Sequence, residues 1–394
     1  MTPVPRLRPY EGPALLSYGF RPFFLLGGVY AGLAVLVWLP AFYGELSLRS
    51  AFSPRDWHVH EMLYGYLPAV MAGFLFTAIP NWTGRLPLQG RPLLVLVVIW
   101  LAGRVAVTMS ADFGWAPAAV IDVGFLAAIV TAIAREIVAG ANWRNLRLVL
   151  LVGLLLAGNC AFHLEAHYSG TADYSIRAGV AVVVLLIALI GGRIIPSFTR
   201  NWLARENPGR LPSAFGPFDV ASLAISGAAL SLWVFRPDGP LPGTALGLAG
   251  LLQLARLGRW AGDRTLADRL VLILHVGYLF VPLGFLLNAA AAFDLLPRSA
   301  GLHAWMVGAA GIMTLAVMTR ATLGHTGRPL VASPATQAIY LAVVVAALAR
   351  ICAAIEPSQS DALLHVAAGA WAAAFLGFGC VFGPILSGES KRHR

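Results

Sequence analysis

Residues 174–196, YSIRAGVAVVVLLIALIGGRIIP, decide the fold class of this 394-residue chain. Between Arg177 and Arg193 this stretch contains no charged residue. As a helix, the run is long enough to cross a hydrocarbon core about 30 Å thick. Backbone amide and carbonyl groups find no partner in lipid, so a crossing segment of this kind must be a helix that bonds these groups internally.

Similar apolar runs recur along the whole chain, which is 58% hydrophobic and 12% charged. A soluble domain carries about 25% charged residues, so the composition indicates an integral membrane protein. The sequence predicts an all-α, polytopic protein of about twelve transmembrane helices, which forms one domain over residues 1–394 in the lipid bilayer. The predicted spans are 22–42, 60–80, 92–110, 115–138, 147–163, 174–196, 217–236, 241–260, 268–293, 302–322, 334–355 and 361–387.

The net charge of +10 is distributed in a way that indicates the topology. If the N-terminus is cytoplasmic, the cytoplasmic segments hold 21 Lys and Arg and the outer segments hold five, as the positive-inside rule requires. We therefore expect both termini in the cytoplasm and no nucleic-acid partner. Nearly all basic residues are Arg, which favours a bacterial protein and hence the bacterial inner membrane.

A weak internal repeat divides the chain. An offset of 243 residues aligns His60 with His303, Gly65 with Gly308, and Thr-Gly-Arg at 83–85 with the same triplet at 326–328. A fainter third copy ends span six. The spans then form three pseudo-repeated four-helix units, 1–140, 141–262 and 263–394, and sites tend to lie where such repeats meet.

Six of the nine histidines fall at or near the outer ends of predicted helices. A single histidine there could simply cap a helix or reach the membrane surface. Six at one level, in a chain poor in polar residues, indicate ligation, because neutral imidazole binds metal ions and haem iron. The six are His58, His60, His163, His167, His303 and His365.

The first histidine cluster, DWHVHEM at 56–62, follows a Ser-Pro helix-start signal. On a regular helix His58 and His60 lie about 200° apart, so one is expected to bind haem iron and the other a second centre. His58 shares its face with Glu61, and His60 shares its face with Tyr64.

Two further clusters follow helical spacing. Cys160, His163 and His167 share one helical face, and such a face suits copper or zinc. Asp361 lies four residues before His365, and its carboxylate is expected to orient the imidazole ring.

Two arginines, Arg104 and Arg350, fall inside spans three and eleven. A charged side chain at a helix centre costs about 2.5–3.5 kcal/mol on insertion scales. These residues could reach the outer surface, pair with Asp122 in span four, or hold an anion such as a haem propionate.

Five stretches of the chain resemble the NnrS family of bacterial membrane proteins. They are SYGFRPFF at 17–24, WHVHEMLYG at 57–65, GFLFTAIPNWTG at 73–84, GGRIIPSFTR at 191–200, and HAWM at 303–306 with HTGR at 325–328. The resemblance covers nearly the whole chain. It implies a protein that contains haem and copper and is associated with denitrification and with resistance to nitric oxide and nitrosative stress.

The ligand roles are predicted from helix geometry. Haem is assigned to His60 and His303, with Arg104 and Arg350 beside its propionates. Copper ligands are drawn from His58, Cys160, His163, His167 and His365, with supporting positions at Glu61, Tyr64, Asp122 and Asp361.

The expected function is to bind or convert nitric oxide or metal-nitrosyl species. The alternatives are a secondary transporter of a metal or small anion, and a sensor without turnover that signals to a redox or regulatory partner.

Overall fold

The computed structural model describes residues 10–389, apart from the side chain of Arg144. Within that range the protein is helical, and eleven helices are long and apolar enough to cross a membrane. The all-α, polytopic prediction is thereby confirmed. Both termini are predicted to be cytoplasmic. Residues 1–9 and 390–394 of these termini lie outside the described residues.

The α-helices follow the predicted spans closely. In chain order they are α1 Phe20–Phe42, α2 Pro54–His60, α3 Leu67–Thr83, α4 Arg91–Thr108, α5 Ser110–Phe113, α6 Trp115–Ala139, α7 Leu146–Ser169, α8 Asp173–Glu206, α9 Pro217–Phe235, α10 Pro240–Gly258, α11 Arg269–Ala292, α12 Arg298–His303, α13 Ile312–His325, α14 Pro334–Ile355 and α15 Ser360–Ser387.

The eighth predicted span is a helix, α10, but it is not among the eleven apolar ones. Gln253 and Arg256 near its C-terminal end and two prolines in its first turn reduce its hydropathy. Both polar side chains are fully buried at 0% exposure. Since α10 packs against α9 and α11, its polar groups face protein rather than lipid.

Two π-helical segments interrupt the helices that carry the repeat-related histidines. Glu61–Tyr66 connects α2 to α3, and Ala304–Gly311 connects α12 to α13. Each segment begins at the residue after a histidine, His60 in the first case and His303 in the second. π-Helical turns are rare and occur frequently at functional sites.

The chain forms two compact units. Of the described residues, the first comprises 10–179, Ala321–Arg328 and 375–389, and the second comprises Val180–Arg320 and Pro329–Ala374. The three pseudo-repeated units predicted from the sequence are a different division, and they stay a prediction.

In the first unit, α2 begins where the Ser-Pro signal predicts. The Ser53 hydroxyl accepts a hydrogen bond from the backbone N–H of Asp56 at 3.2 Å, and Pro54 occupies the first helical position. A Ser cap stabilises a helix by about 1 kcal/mol. This start places His60 at the last residue of α2, directly before the π-helical segment.

In the second unit, Arg256 of α10 is buried in a polar network. Its Nε donates to Asp219 Oδ1 at 2.9 Å, and its Nη1 donates to the Tyr278 hydroxyl, also at 2.9 Å. Tyr278 in turn donates to Gln253 Oε1 at 2.7 Å. The polar side chains that lower the hydropathy of α10 are therefore bonded to α9 and α11.

Whether α10 crosses the membrane decides the orientation of everything after it. If it does, and if the N-terminus is cytoplasmic as predicted, exposed Ser213 before α9 is cytoplasmic and exposed Ser358 before α15 is outside. In a variant without the three native cysteines, a membrane-impermeant maleimide should label Ser358→Cys on intact spheroplasts. Ser213→Cys should react only after permeabilisation. Equal protection of both positions in intact spheroplasts would contradict the crossing.

Candidate metal centre

Three side chains from three helices of the first unit meet in its interior. They are His60 at the end of α2, Asp122 near the start of α6 and His163 in the second half of α7. Their exposures are 0%, 1% and 3%. One ligand atom from each lies within 4.8 Å of the other two, which is a separation that one metal ion can bridge.

Both ring nitrogens of His60 face hydrogen-bond acceptors. Nδ1 donates to Glu61 Oε1 at 3.0 Å. Nε2 lies 3.0 Å from Asn159 Oδ1 and 3.1 Å from Asp122 Oδ2. The ring satisfies all these acceptors only as an imidazolium, or with a metal ion in place of the Nε2 proton.

Asp122 Oδ2 is the point where the cluster converges. It accepts hydrogen bonds from Asn159 Nδ2 at 2.8 Å and from His163 Nε2 at 3.0 Å. The other oxygen, Oδ1, accepts from Arg104 Nη2. Asp122 therefore links α6 to α4 and to two positions on α7.

Arg104 is held between two carboxylates. Its Nη1 lies 2.7 Å from both oxygens of Glu61, and its Nη2 pairs with Asp122. The Tyr30 hydroxyl of α1 also donates to Glu61. With both histidines neutral, the two carboxylates and the single guanidinium leave one uncompensated negative charge. A buried charge must be compensated, so the cluster needs one more cation, either a proton or a metal ion.

Aromatic rings enclose the histidine side of the cluster. Phe52 lies 5.3 Å, between ring centroids, from both His60 and His163. Phe162 and Tyr64 lie 5.2 and 5.5 Å from His60. These rings exclude water and lower the local dielectric, which strengthens every electrostatic interaction of the cluster.

Two glycines allow the helices to approach closely enough for these contacts. A Cβ on Gly65 would lie 2.3 Å from Arg104 Nη1, and a Cβ on Gly103 would lie 3.2 Å from the Cα of Asp122. Gly65 lies within the first π-helical segment. Its missing side chain leaves the space that the Arg104 guanidinium fills.

The donor atoms fit a metal ion. In a tetrahedral site with bonds of about 2.0–2.2 Å, the donor atoms lie about 3.3–3.5 Å apart. The His163 Nε2 to Asp122 Oδ2 and His60 Nε2 to Asp122 Oδ2 separations are 3.0 and 3.1 Å. A shift of a few tenths of an ångström would bring these two separations to coordination distance, and Asn159 Oδ1 lies next to them.

Several predicted site residues come together here. Of the two pairings proposed for Asp122, the one with Arg104 is found. Glu61 supports His60, although the two were expected on different helical faces. Tyr64 contacts the His60 ring and donates its hydroxyl proton to the Ser175 carbonyl at 3.2 Å.

Three predicted copper ligands of the first unit lie outside the cluster. His58 stacks on Trp38 at 4.1 Å, and exposed His167 stacks on Trp115 at 4.2 Å. Cys160 is a half-buried free thiol. Of the helical face shared by Cys160, His163 and His167, only His163 therefore joins the metal-ligand group that the described residues form.

The remaining predicted residues belong to the second unit. The Nδ1 of His303 donates to the Ser299 carbonyl at 2.7 Å. His365 is exposed, and its Nδ1 donates to the backbone carbonyl of Asp361 at 2.8 Å, where a bond to the carboxylate was expected. Arg350 is half-buried in α14. The haem roles predicted for His303 and Arg350 and the copper role predicted for His365 stay predictions.

Asn159 and Tyr30 are cluster members that the sequence reasoning missed. Asn159 lies four residues before His163 and hence on the same helical face. It is also an uncharged polar residue inside an apolar span, which was the available signal. Tyr30 had no such signal, because its role depends on how α1 packs against the Glu61 turn.

The family model described as NnrS protein matches residues 14–390. The chain belongs to the NnrS family. Comparison with curated proteins finds no match. The matched range contains every described helix and every residue of the centre, so the buried cluster is part of the NnrS region of the chain.

In this NnrS-family protein, the stretch WHVHEMLYG at 57–65 spans the turn from α2 into the first π-helical segment. It contributes a candidate ligand, His60, and the carboxylate of Glu61. Its last residue is the glycine packed on Arg104.

Replacing Gly65 tests the close approach. Gly65→Ala forces a methyl group against the Arg104 guanidinium and should destabilise the protein by about 1–3 kcal/mol, as other overpacked sites do. Gly153→Ala in α7 is the matched control, because its Cβ meets no atom within 4 Å. Thermal unfolding in detergent should show a lower midpoint for Gly65→Ala only. Identical midpoints would mean that the guanidinium moves aside freely.

Proposed function

We propose that this NnrS-family protein binds a transition-metal ion at His60, Asp122 and His163 and acts through it in the nitric oxide response. The nitric oxide role comes from the family resemblance, and the metal role comes from the geometry of the cluster. The observation that carries this proposal is the position of His60 Nε2. This atom faces two acceptor oxygens, in a cluster that lacks one positive charge.

Two imidazoles and one carboxylate suit copper, zinc and non-haem ferrous iron. Copper is the first candidate, because the resemblance implies it. A copper or iron ion would supply a position where nitric oxide can bind.

The chain's own residues would hold and tune that ion. Glu61 fixes the His60 ring through Nδ1, as outer partners of ligating histidines do. Arg104 fixes Glu61 and Asp122 together. Phe52 and Phe162 shield the site from water.

A haem does not fit the described surroundings of His60. The ring is fully buried between aromatic side chains, and both nitrogens are engaged within the first unit. His303 is the better haem candidate. Its Nδ1–H is bonded to the Ser299 carbonyl, which fixes the imidazole ring in the tautomer whose lone pair is on Nε2.

A secondary transporter is the second candidate. The observation that favours it is the same site: a proton on His60 and a metal ion would satisfy the cluster equally well. Exchange of the two would couple metal movement to proton movement. Proton-driven metal uptake by proteoliposomes would support transport, whereas stoichiometric binding without uptake would favour the first proposal.

Ligand removal tests the metal site. His60→Ala and His163→Ala should lose the copper or iron found in the purified protein by mass spectrometry. Glu61→Gln should retain all three ligands with about 10–100-fold weaker affinity, because it weakens the support of the His60 ring and breaks the ion pair with Arg104. His167→Ala is the matched control, since His167 lies on the same helix outside the cluster. Metal content that is unchanged in both ligand variants would refute the site.

Nitric oxide provides the functional readout. Optical and paramagnetic resonance spectra of the loaded protein should change when nitric oxide is added, and the change should disappear in His163→Ala. Nitric oxide consumption by the intact protein would establish turnover. Spectra that are insensitive to nitric oxide would remove the nitric oxide role and leave the metal site standing.

Metal binding should also release a proton. If His60 is an imidazolium in the metal-free protein, loading releases about one proton per ion in weakly buffered solution. The affinity then rises with pH, because the proton and the metal compete for Nε2. A pH indicator in a stopped-flow experiment checks this. Loading without proton release would show that His60 is neutral before metal binds.

A further inference from the structure

Asp56 is a buried carboxylate that the candidate centre does not use. Its side chain is 1% exposed, and within the described residues neither carboxylate oxygen has a hydrogen-bond partner. The guanidinium of Arg55 approaches it, with Nη1 4.0 Å from Oδ1. A desolvated carboxylate without hydrogen bonds is costly, so a packing role alone does not account for this residue.

The position of Asp56 relates it to the centre. Asp56 and His60 are four residues apart on α2, and hence on the same helical face. One helical turn advances about 5.4 Å. Asp56 therefore lies one turn from His60 in the direction of the start of the helix.

The surface beside Asp56 carries two carboxylates and two guanidinium groups. Arg55 Nη2 pairs with Asp173 Oδ1 at 2.6 Å, and the Asp173 side chain is 48% exposed. Glu165 accepts hydrogen bonds from the backbone N–H groups of Tyr174 and Ser175 at 2.8 and 2.7 Å. Arg177 lies over the Tyr174 ring at 4.7 Å.

The charges around Asp56 do not cancel, so a bound cation would be electrostatically favourable. Three carboxylates, Asp56, Glu165 and Asp173, stand against two guanidinium groups, Arg55 and Arg177. The local sum is one negative charge, and its most buried member is the carboxylate without hydrogen bonds.

The direct approach to the histidines is covered. The ring of Phe52, which is half-buried, lies against His60 and His163. Its loop is held in place, because the N–H of Ala51 donates to Ser110 Oγ at 2.8 Å. Towards the start of α2, the buried polar group that precedes His60 on the same helical face is Asp56.

We propose that Asp56 is a transient binding site for incoming metal cations, which it transfers to His60, Asp122 and His163. This role rests on the proposed metal-binding function. It requires no covalent or redox step, since the ion exchanges the carboxylate oxygens of Asp56 for two imidazole nitrogens and one carboxylate oxygen of the centre. It predicts that Asp56 controls the rate of metal loading and not the final occupancy.

The rival explanation is that Asp56 serves the helix alone. A carboxylate in the first turn interacts favourably with the helix dipole. That role would make Asp56→Asn less stable and would leave the loading rate unchanged. The two explanations therefore predict opposite results for one variant.

The test follows copper uptake by the purified, metal-free full-length protein after mixing with Cu²⁺, with the bound metal measured after rapid desalting. Asp56→Asn should load about tenfold more slowly, because a focused negative charge raises cation on-rates by at least this factor. Its final copper content should equal that of the wild type. Asp56→Glu keeps the carboxylate and should load at nearly the wild-type rate.

Asp238→Asn is the matched control, because it removes the same charge from an exposed pair with Arg298 in the other unit. A wild-type loading rate in Asp56→Asn, a reduced final content, or equally slow loading of Asp56→Glu would each overturn the transfer role. Wild-type protein that takes up no more copper than His60→Ala would instead refute the metal centre itself. If Asp56→Asn does not fold, the Asp56→Glu rate still decides, since a slow rate contradicts the proposal.

Discussion

The first unit depends on one guanidinium, that of Arg104, and on the two carboxylates that it joins. Glu61 belongs to the turn that follows α2, and Asp122 belongs to α6, so the ion pairs tie three separate segments at one buried point. Removing one partner of such a buried pair costs about 3–5 kcal/mol, because the other charge is left uncompensated. This cost fixes the spacing of α4, α6 and the His60 turn, and the aromatic shell packs on that frame.

The same constraint explains why the candidate metal centre lies at this point of the first unit. Arg104 neutralises only one of the two carboxylates, and the remaining charge falls where Asp122 meets two imidazoles. In lipid a net charge is far more expensive than in water. The protein must therefore carry a proton or a metal ion at this point whenever it is folded.

The sequence predicted the helices well and the site only in part. A long apolar run determines the position of a helix without any information about the helices that pack on it. The predicted spans therefore agree with the observed helices. His60, Arg104, Asp122 and His163 were each singled out, yet they were divided between haem, copper and supporting roles. Their convergence depends on the packing of α2, α4, α6 and α7, which no local pattern contains. His167 and Cys160 share a face with His163, but helical spacing cannot tell which turn of that face is buried.

The π-helical segment after His60 has a mechanical consequence. A π turn holds one residue more than an α turn. If that extra residue moves along the helix, the histidine-bearing turn rotates by about 100° while the lipid-facing part of α3 stays in place. The same arrangement follows His303. Each histidine thus lies next to a π-helical segment. A shift of the π turn by one residue would rotate the imidazole towards or away from its partners without unfolding a membrane span.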